Sequence, residues 1–276
     1  MTACTTACPA PTLTHERSDG AAHVTLLPGP DGGRLDRLHQ QGSAKAFLHP
    51  GASGPEIVLL NTSGGLTGGD RLSYRLDLAE GCRATGTTQT AERAYRSTGT
   101  AAQVTVHHRV DAGAHLDWLP QETILFDQSH LARETTIDLD EGASCLILES
   151  IVLGRAAMGE TVRRVTLRDT RRITRTGCPV LVEPLHLTTE ALTAGPAVLG
   201  GARAFATLAL VAQGADDAAP RARQELNEPG VTGAASGFDG KLVIRLIAGD
   251  GWPLRRQVAR LVQALRPGPL PRVWQF

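Results

Sequence analysis

The chain is poor in aromatic residues, in cysteine and in net charge. Phe, Trp and Tyr make up 4% of its 276 residues, too few to furnish the aromatic platforms of a sugar-binding cleft. Basic and acidic residues number 28 each and cancel, which removes any broad attraction to nucleic acid or to an acidic membrane surface. No apolar run approaches the roughly 18 residues of a membrane-spanning helix. The five cysteines, Cys4, Cys8, Cys82, Cys145 and Cys178, are odd in number and scattered, which argues against a disulfide framework. The first twenty residues hold Pro9, Pro11, His15, Glu16 and Arg17 in place of an apolar leader, so the cytoplasm is the expected location. Catalytic signatures are missing too: there is no H-E-x-x-H, no G-x-S-x-G and no Cys/His nucleophile pairing. An enzyme is not expected.

What the chain does have is strand after strand. Leu72, Tyr74, Leu76 and Leu78 alternate with Ser73, Arg75 and Asp77, the period of a half-buried strand. Gln103 to Val110 alternates in the same way and puts His107 and His108 on opposite faces. Ile57–Leu60, Cys145–Leu148 and Val180–Val182 are short and continuously apolar, as strands covered on both faces are. Helix-period stretches are absent from Ala21 to Val211. They come late: Asp216–Glu228 has a start signal at Pro220, and Pro253–Arg266 places Leu254, Val258, Leu261, Val262 and Leu265 on one face. The closing Leu-Pro-Arg-Val-Trp reads as an extended segment. Residues 1–20, rich in Thr, Ala and Pro, read as a disordered tail, and 21–276 as one β-rich domain. Cys4 and Cys8 could form half of a metal site, but have no partner pair.

A weak repeat runs through the β region. Leu78-Ala-Glu-Gly81-Cys, Val110-Asp-Ala-Gly113-Ala and Leu139-Asp-Glu-Gly142-Ala share a strand end, an acidic turn, a glycine and a small residue. The glycines fall 32 and 29 positions apart. A strand-turn-strand unit at a near-constant period fits coils stacked as a solenoid, or successive hairpins of a sandwich.

Two polar stretches stand out against this scaffold. The first is Gly64-Gly65-Leu-Thr-Gly68-Gly69-Asp70, which lacks the lysine of a phosphate-binding loop and precedes a strand. It reads either as a tight turn or as a loop presenting Asp70 to a partner or a cation. The second runs from Thr87, Thr88 and Gln89 through Glu92 and Arg93 to Tyr95 and Arg96. Glu149 and Glu183 follow apolar strand residues, where a carboxylate is costly unless paired or facing a wet cavity. Each either pairs with an arginine, Arg155 being the nearest to Glu149, or lines an internal path for a cation.

The block Leu119-Pro-Gln-Glu-Thr-Ile-Leu-Phe, with Glu149-Ser-Ile-Val-Leu-Gly-Arg155-Ala-Ala-Met-Gly-Glu160, joins these stretches and the closing Leu270-Pro-Arg-Val-Trp274. Together, in this order, the five motifs resemble the urease accessory protein UreD (UreH) family. Asn61-Thr-Ser63 departs from the proline-containing lead-in of many members. The resemblance implies a mainly β fold of helically stacked, solenoid-like strands with about two helices. It implies a non-catalytic scaffold that binds UreF, through it UreG, and apo-urease, in a dimer of heterodimers with UreF. It also implies nickel in transit, with no tightly bound cofactor and no nucleic-acid or membrane partner. On that basis Asp70, Glu149 and Glu183 are assigned to a transient nickel path. Gly64, Gly65, Gly68, Gly69, Thr87, Thr88, Gln89, Tyr95, Arg155 and Glu160 are assigned to loops and partner contacts. Weak, spaced carboxylates suit a conduit, which must both admit and release its ion.

Overall fold

The alternation produces two β-sheets laid face to face, with helices covering the outer face of the second. A computed structural model describes residues 16–274. The chain opens with the antiparallel pair β1 (Asp19–Leu27) and β2 (Arg34–Gly42), then forms the hairpin β3 (Ala44–His49) and β4 (Glu56–Asn61) in the other sheet. From there it winds. β5 (Arg71–Leu78) lies in the first sheet and β6 (Arg83–Thr88) in the second; short β7 (Glu92–Ala94) sits in the loop back to β8 (Ala102–Val110). The next turn carries β9 (His115–Leu119), β10 (Thr123–Leu125) and β11 (Ser129–Leu139), and the last β12 (Ser144–Leu153) and β13 (Val165–Arg175). Strands of successive turns pair in parallel, β1-β5-β8-β11-β13 in one sheet and β4-β6-β9-β12 in the other. This is a β-solenoid-like stack of coils.

The repeated corners are what hold the coils at constant spacing. Gly81, Gly113 and Gly142 adopt φ of 69°, 65° and 69°, a left-handed conformation that glycine reaches without steric penalty. They stack: Gly81 N–H donates to Ala112 O at 3.0 Å, and Gly113 N–H to Glu141 O at 3.1 Å. Each corner thus completes the backbone bonding of the one below it.

After the winding part the chain turns antiparallel. β14 (Cys178–Thr188) forms a hairpin with β13 and ends the first sheet, followed by the short helix α1 (Thr189–Thr193). β15 (Ala204–Val211), helix α2 (Ala219–Glu225), β16 (Val231–Phe238) and β17 (Lys241–Ala248) extend the second sheet beyond β12. Helix α3 (Gly251–Leu265) closes it. The Asp250 side chain caps its start by accepting from Trp252 N–H at 2.8 Å. Its buried Leu254, Val258, Leu261 and Val262 pack over Leu146, Leu148, Leu208 and Ile244 on the outer face of the second sheet. Burying each such side chain contributes about 1.5–3 kcal/mol.

Several local expectations need correction. Val180–Val182 is not covered on both faces: β14 is a sheet edge, and Val182 is 45% exposed. α1 is a five-residue helix inside the stretch read as helix-free; so short a segment carries no periodic signal. Arg272–Trp274 forms a 3-10 turn, not an extended end, because Trp274 folds back into a buried position. Asp19 and Gly20 belong to β1. Residues 1–15, with Cys4 and Cys8, lie outside the described residues. Among the described residues no helix is long and apolar enough to cross a membrane.

Candidate functional site

Most side chains between the two sheets are apolar, as in any β core. One band is not. On the inward-facing parity of β11, β13 and β14, Arg133 stands beside Asp169, and one row further on Arg171 stands beside Glu183. Facing them from the second sheet, Glu149, Thr207 and Arg245 are register partners on β12, β15 and β17. The charges form a continuous chain. Arg133 Nη1 meets Glu149 Oε2 at 2.8 Å, and its Nη2 and Nε reach Asp169 at 2.8 and 3.0 Å. Arg171 links Asp169 (3.5 Å) to Glu183 (3.4 Å), and Arg245 meets Glu183 at 3.0 Å. Arg133, Glu149, Asp169 and Arg171 are all buried; Arg245 brings the chain out to solvent.

Burial and mutual charge set the titration of this seam. Burial pushes the Glu149 carboxyl up, against the pull of Arg133, and the nearby Asp169 charge adds to the rise. Asp169 is buried too, but the Arg133 charge and hydrogen bonds, with Arg171, outweigh that and hold it below the usual carboxylate range. One arginine therefore serves two carboxylates unequally.

At its other end the seam opens into two adjoining cavities. The inner one, with a volume of about 40 Å³, is lined by Glu149, Arg133, Trp118, Thr123 and Gln121. The outer one, also about 40 Å³, lies against Asn61, Gly64 and the Gln89–Arg93 segment. Tyr74, Thr88 and Glu92 line both. Two buried donors here are unsatisfied, the Tyr74 hydroxyl and Trp118 Nε1; the latter lies near Glu149 without closing a bond of normal geometry. Buried polar groups of this kind call for water or an ion. Burial pushes the Glu92 carboxyl up to about 7, against its hydrogen bonds from Arg93 N–H and Asn61. Among the described residues no three His, Cys, Asp or Glu side chains come together as a chelating cluster. The cavities offer a series of single carboxylates.

A family model described as UreD urease accessory protein matches residues 18–275. The chain belongs to the UreD urease accessory protein family. Relatives bearing the name "Urease accessory protein UreD" occur in Cereibacter sphaeroides (strain ATCC 17025), 64% identical over 264 residues, and in Paracoccus denitrificans, 55% identical over 263 residues. The alignments cover 94% of this chain in both cases, and 96% and 93% of those proteins. A further relative, from Dinoroseobacter shibae, is 50% identical over 264 residues. Membership places the chain in urease maturation.

Four of the five motifs gather at one end of the coils, opposite the glycine corners, and the closing Leu270–Trp274 lies apart from them on the outer face of the second sheet. Loop 61–70, the segment around β7, the segment around β10 and loop 154–164 stack on one another. Leu66 bridges Ala94, β7 pairs with β10, and β10 with β12. Glycine is required where these loops touch: a Cβ on Gly65 would overlap the Tyr95 ring, and one on Gly68 would overlap Ser97 and the Thr100 carbonyl. Gly64 O accepts from the Tyr95 hydroxyl at 3.1 Å, and Gly69 N–H donates to Ala101 O at 3.1 Å. Tyr95 packs edge-on against Phe126, over which the Arg155 guanidinium lies at 4.4 Å. Glu160 accepts from Arg155 Nε (2.8 Å) and Asp127 N–H (3.1 Å), tying two loops together. Arg155 is thus the partner of Glu160; Glu149 pairs with Arg133.

The three carboxylates assigned to a metal path end up in different places. Glu149 lies in the inner cavity and Glu183 at the far end of the arginine-linked seam. Asp70 is buried away from both, and accepts from Thr67 N–H at 2.7 Å and Ser18 N–H at 2.8 Å. Its geometry is that of a loop clasp. The TTQ segment divides by parity. Thr87 points outward, donating to Leu119 O at 2.7 Å and accepting from Trp274 Nε1 at 3.2 Å, so the closing motif docks on this one. Thr88 points inward to the cavities, and Gln89 lines the outer one.

Arg133, Asp169 and Arg171 were missed by motif reading. Each carried a signal: a charge on the apolar parity of an alternating strand, as in Leu131-x-Arg133-x-Thr135-x-Ile137 and Leu167-x-Asp169-x-Arg171-x-Ile173. A Ser144–His115–Asp117 row, with bonds of 2.7 and 3.0 Å, resembles a hydrolase triad in outline. Ser144 is the register partner of His115, and Asp117 also binds Arg266 beyond the end of α3 at 2.8 Å. Ser144 lines neither cavity. The row braces the C-terminal part against the second sheet.

Proposed function

We propose that the chain is a non-catalytic scaffold of urease maturation. It binds UreF, through UreF the GTPase UreG, and apo-urease, and nickel passes along the inter-sheet seam to the urease active site. The observation that carries this reading is the pair of cavities joined at Glu92 and leading to Glu149, inside an otherwise apolar core. An interior that retains orphaned donors and carboxylates costs stability, and a transit path gives that cost a purpose. Sparse carboxylate oxygens bind a borderline cation such as nickel weakly enough to release it. Arginine-paired Glu149 fits transit better than storage, because an arriving cation has to displace Arg133 and is expelled when the guanidinium returns. Asp70 acts at one remove, by holding the loop at the solenoid end.

The stacked motif loops support the scaffold part. They form one rigid, laddered rim with Tyr95 and Met158 exposed on it, the kind of surface on which polar loops recognise a protein partner. Two copies each of this chain and UreF form the assembled unit, a dimer of heterodimers. The protein acts in the cytoplasm.

Co-expression with UreF and UreG from the same genome, followed by size-exclusion chromatography and metal analysis of the co-expressed urease, tests both parts. Co-elution together with nickel-loaded urease is expected. A chain that elutes alone and leaves urease loading unchanged when deleted would overturn the proposal.

A further inference from the structure

We infer that Glu92 and Tyr74 form the admission site of the seam, where an arriving divalent cation first exchanges water for protein oxygen. The inference rests on the transit reading above and names the residues that control it.

Charge arithmetic singles out Glu92. Within the seam three carboxylates, Glu149, Asp169 and Glu183, face three guanidiniums, Arg133, Arg171 and Arg245, in direct contact. That part is balanced. Glu92 adds one further carboxylate, with no direct ion pair of its own among the described residues; its charged neighbours are Arg93, on the exposed side, and Arg133, further in. Arg93 lines only the outer cavity, so at the neck between the two cavities Glu92 is the one lining carboxylate among the described residues that no guanidinium holds directly.

Position singles it out a second time. Glu92 and Tyr74, with Thr88, are the residues common to the outer and inner cavities, so a solute moving between them passes these side chains. Thr88 Oγ1 is engaged: it accepts from Gln121 N–H at 2.9 Å and donates to Thr90 O at 3.2 Å. The Tyr74 hydroxyl is not. It is buried, 4% exposed as a residue, and has no hydrogen-bond partner. Glu92 Oε1 accepts from Arg93 N–H at 3.2 Å and from Asn61 Nδ2 at 3.5 Å, which leaves Glu92 Oε2 and the Tyr74 hydroxyl to face a hydrated ion at the neck. Register fixes Tyr74: it lies on β5 opposite Val106 of β8, on the inward parity shared with Leu72 and Leu76. Glu92 is fixed by β7, whose pairing with β10 aligns it with Thr123, itself a partner of Arg133.

The test uses the co-expressed complex with UreF, UreG and apo-urease, reading the nickel concentration that gives half-maximal loading of urease, by metal analysis. Glu92→Gln keeps the shape and removes the charge. It should raise that concentration by about tenfold, the scale of one lost charge-assisted contact, and Glu92→Asp should fall between. Tyr74→Phe should shift it in the same direction by less. Thr88→Trp, with Gln89→Trp in its place should the first fail to co-elute, fills the neck and should stop loading at any nickel concentration. If the filled neck stops loading while Glu92→Gln matches wild type, the admission site is wrong and the path stands. If the filled neck loads urease normally, the transit reading itself falls.

Discussion

Replacing Arg133 by Met should be among the most damaging single changes outside the apolar core, and its effect should depend on pH in a defined sense. The guanidinium is buried and makes four contacts of 2.8–3.1 Å, to Glu149, twice to Asp169 and to Thr123. Methionine fills much of the volume but leaves Glu149 without an ion pair and Asp169 with only its 3.5 Å contact to Arg171. Breaking a buried ion pair from one side costs about 3–5 kcal/mol, a large part of the roughly 5–15 kcal/mol that holds a domain folded. At about 2–4 °C per kcal/mol, the midpoint of thermal unfolding should fall by about 10 °C. The orphaned Glu149 carboxyl, already pushed up by burial, then loses the pull of Arg133 and has a folded pKa still further above its unfolded one. Such groups contribute stability at low pH that is lost as pH rises through the folded pKa. The deficit should therefore be larger at pH 8 than at pH 5. Arg133→Met with Glu149→Gln restores the seam to charge balance and should recover at least half of the loss. Urea unfolding at both pH values, followed through the fluorescence of Trp118 and Trp274, reads all of this. A loss under about 1 kcal/mol, equal at both pH values, would mean the carboxylates are already hydrated and would refute the buried-pair argument.

Four further outcomes are expected. Gly113→Ala should cost about 1–2 kcal/mol through backbone strain alone, since its φ is 65° and an added Cβ meets nothing within 4 Å; Gly113→Asn should cost less, both read by urea unfolding. Trp274→Ala should cost about 3–5 kcal/mol, and hydrogen exchange should show the C-terminal turn released from Thr87 and Leu119. Asp70→Ala should leave the global midpoint nearly unchanged while opening loop 61–70 to limited proteolysis, because its carboxylate holds Thr67 and Ser18 and reaches neither cavity. Glu92 has a folded pKa raised to about 7, so its contribution is present below the unfolded value and lost as pH rises through 7; wild type should lose stability relative to Glu92→Gln between pH 5 and pH 8.

The solenoid was legible where its determinants are local. The glycine corners could be seen as a repeat because each needs the same left-handed residue after the same strand end, and the alternation of Leu72 to Leu78 names the inward face directly. Helix α3 was legible within two residues at its start, because Pro253 and the Leu254–Val258–Leu261 stripe are local signals. β14 misled because an apolar run looks alike whether a neighbour covers it or not; its edge position depends on the number of coils, a property of the whole chain. The seam was half legible. Glu149 and Glu183 stood out as carboxylates beside apolar runs, but their partners lie 16 and 12 residues away in Arg133 and Arg171, set by inter-strand register that one strand does not encode. Asp70 was conspicuous for its glycine setting, and that setting belongs to loop closure. Glu92 stands in the sequence as one of many polar residues, because a three-residue strand shows no alternation from which to read the face it presents.

The most direct test of the account is to look for the ion. Crystals of the complex with UreF, soaked in nickel and measured at the nickel absorption edge, should show anomalous density between the sheets, within reach of Glu92 and Glu149. Density confined to exposed imidazoles such as His39 and His186, with none between the sheets, would contradict the inter-sheet path.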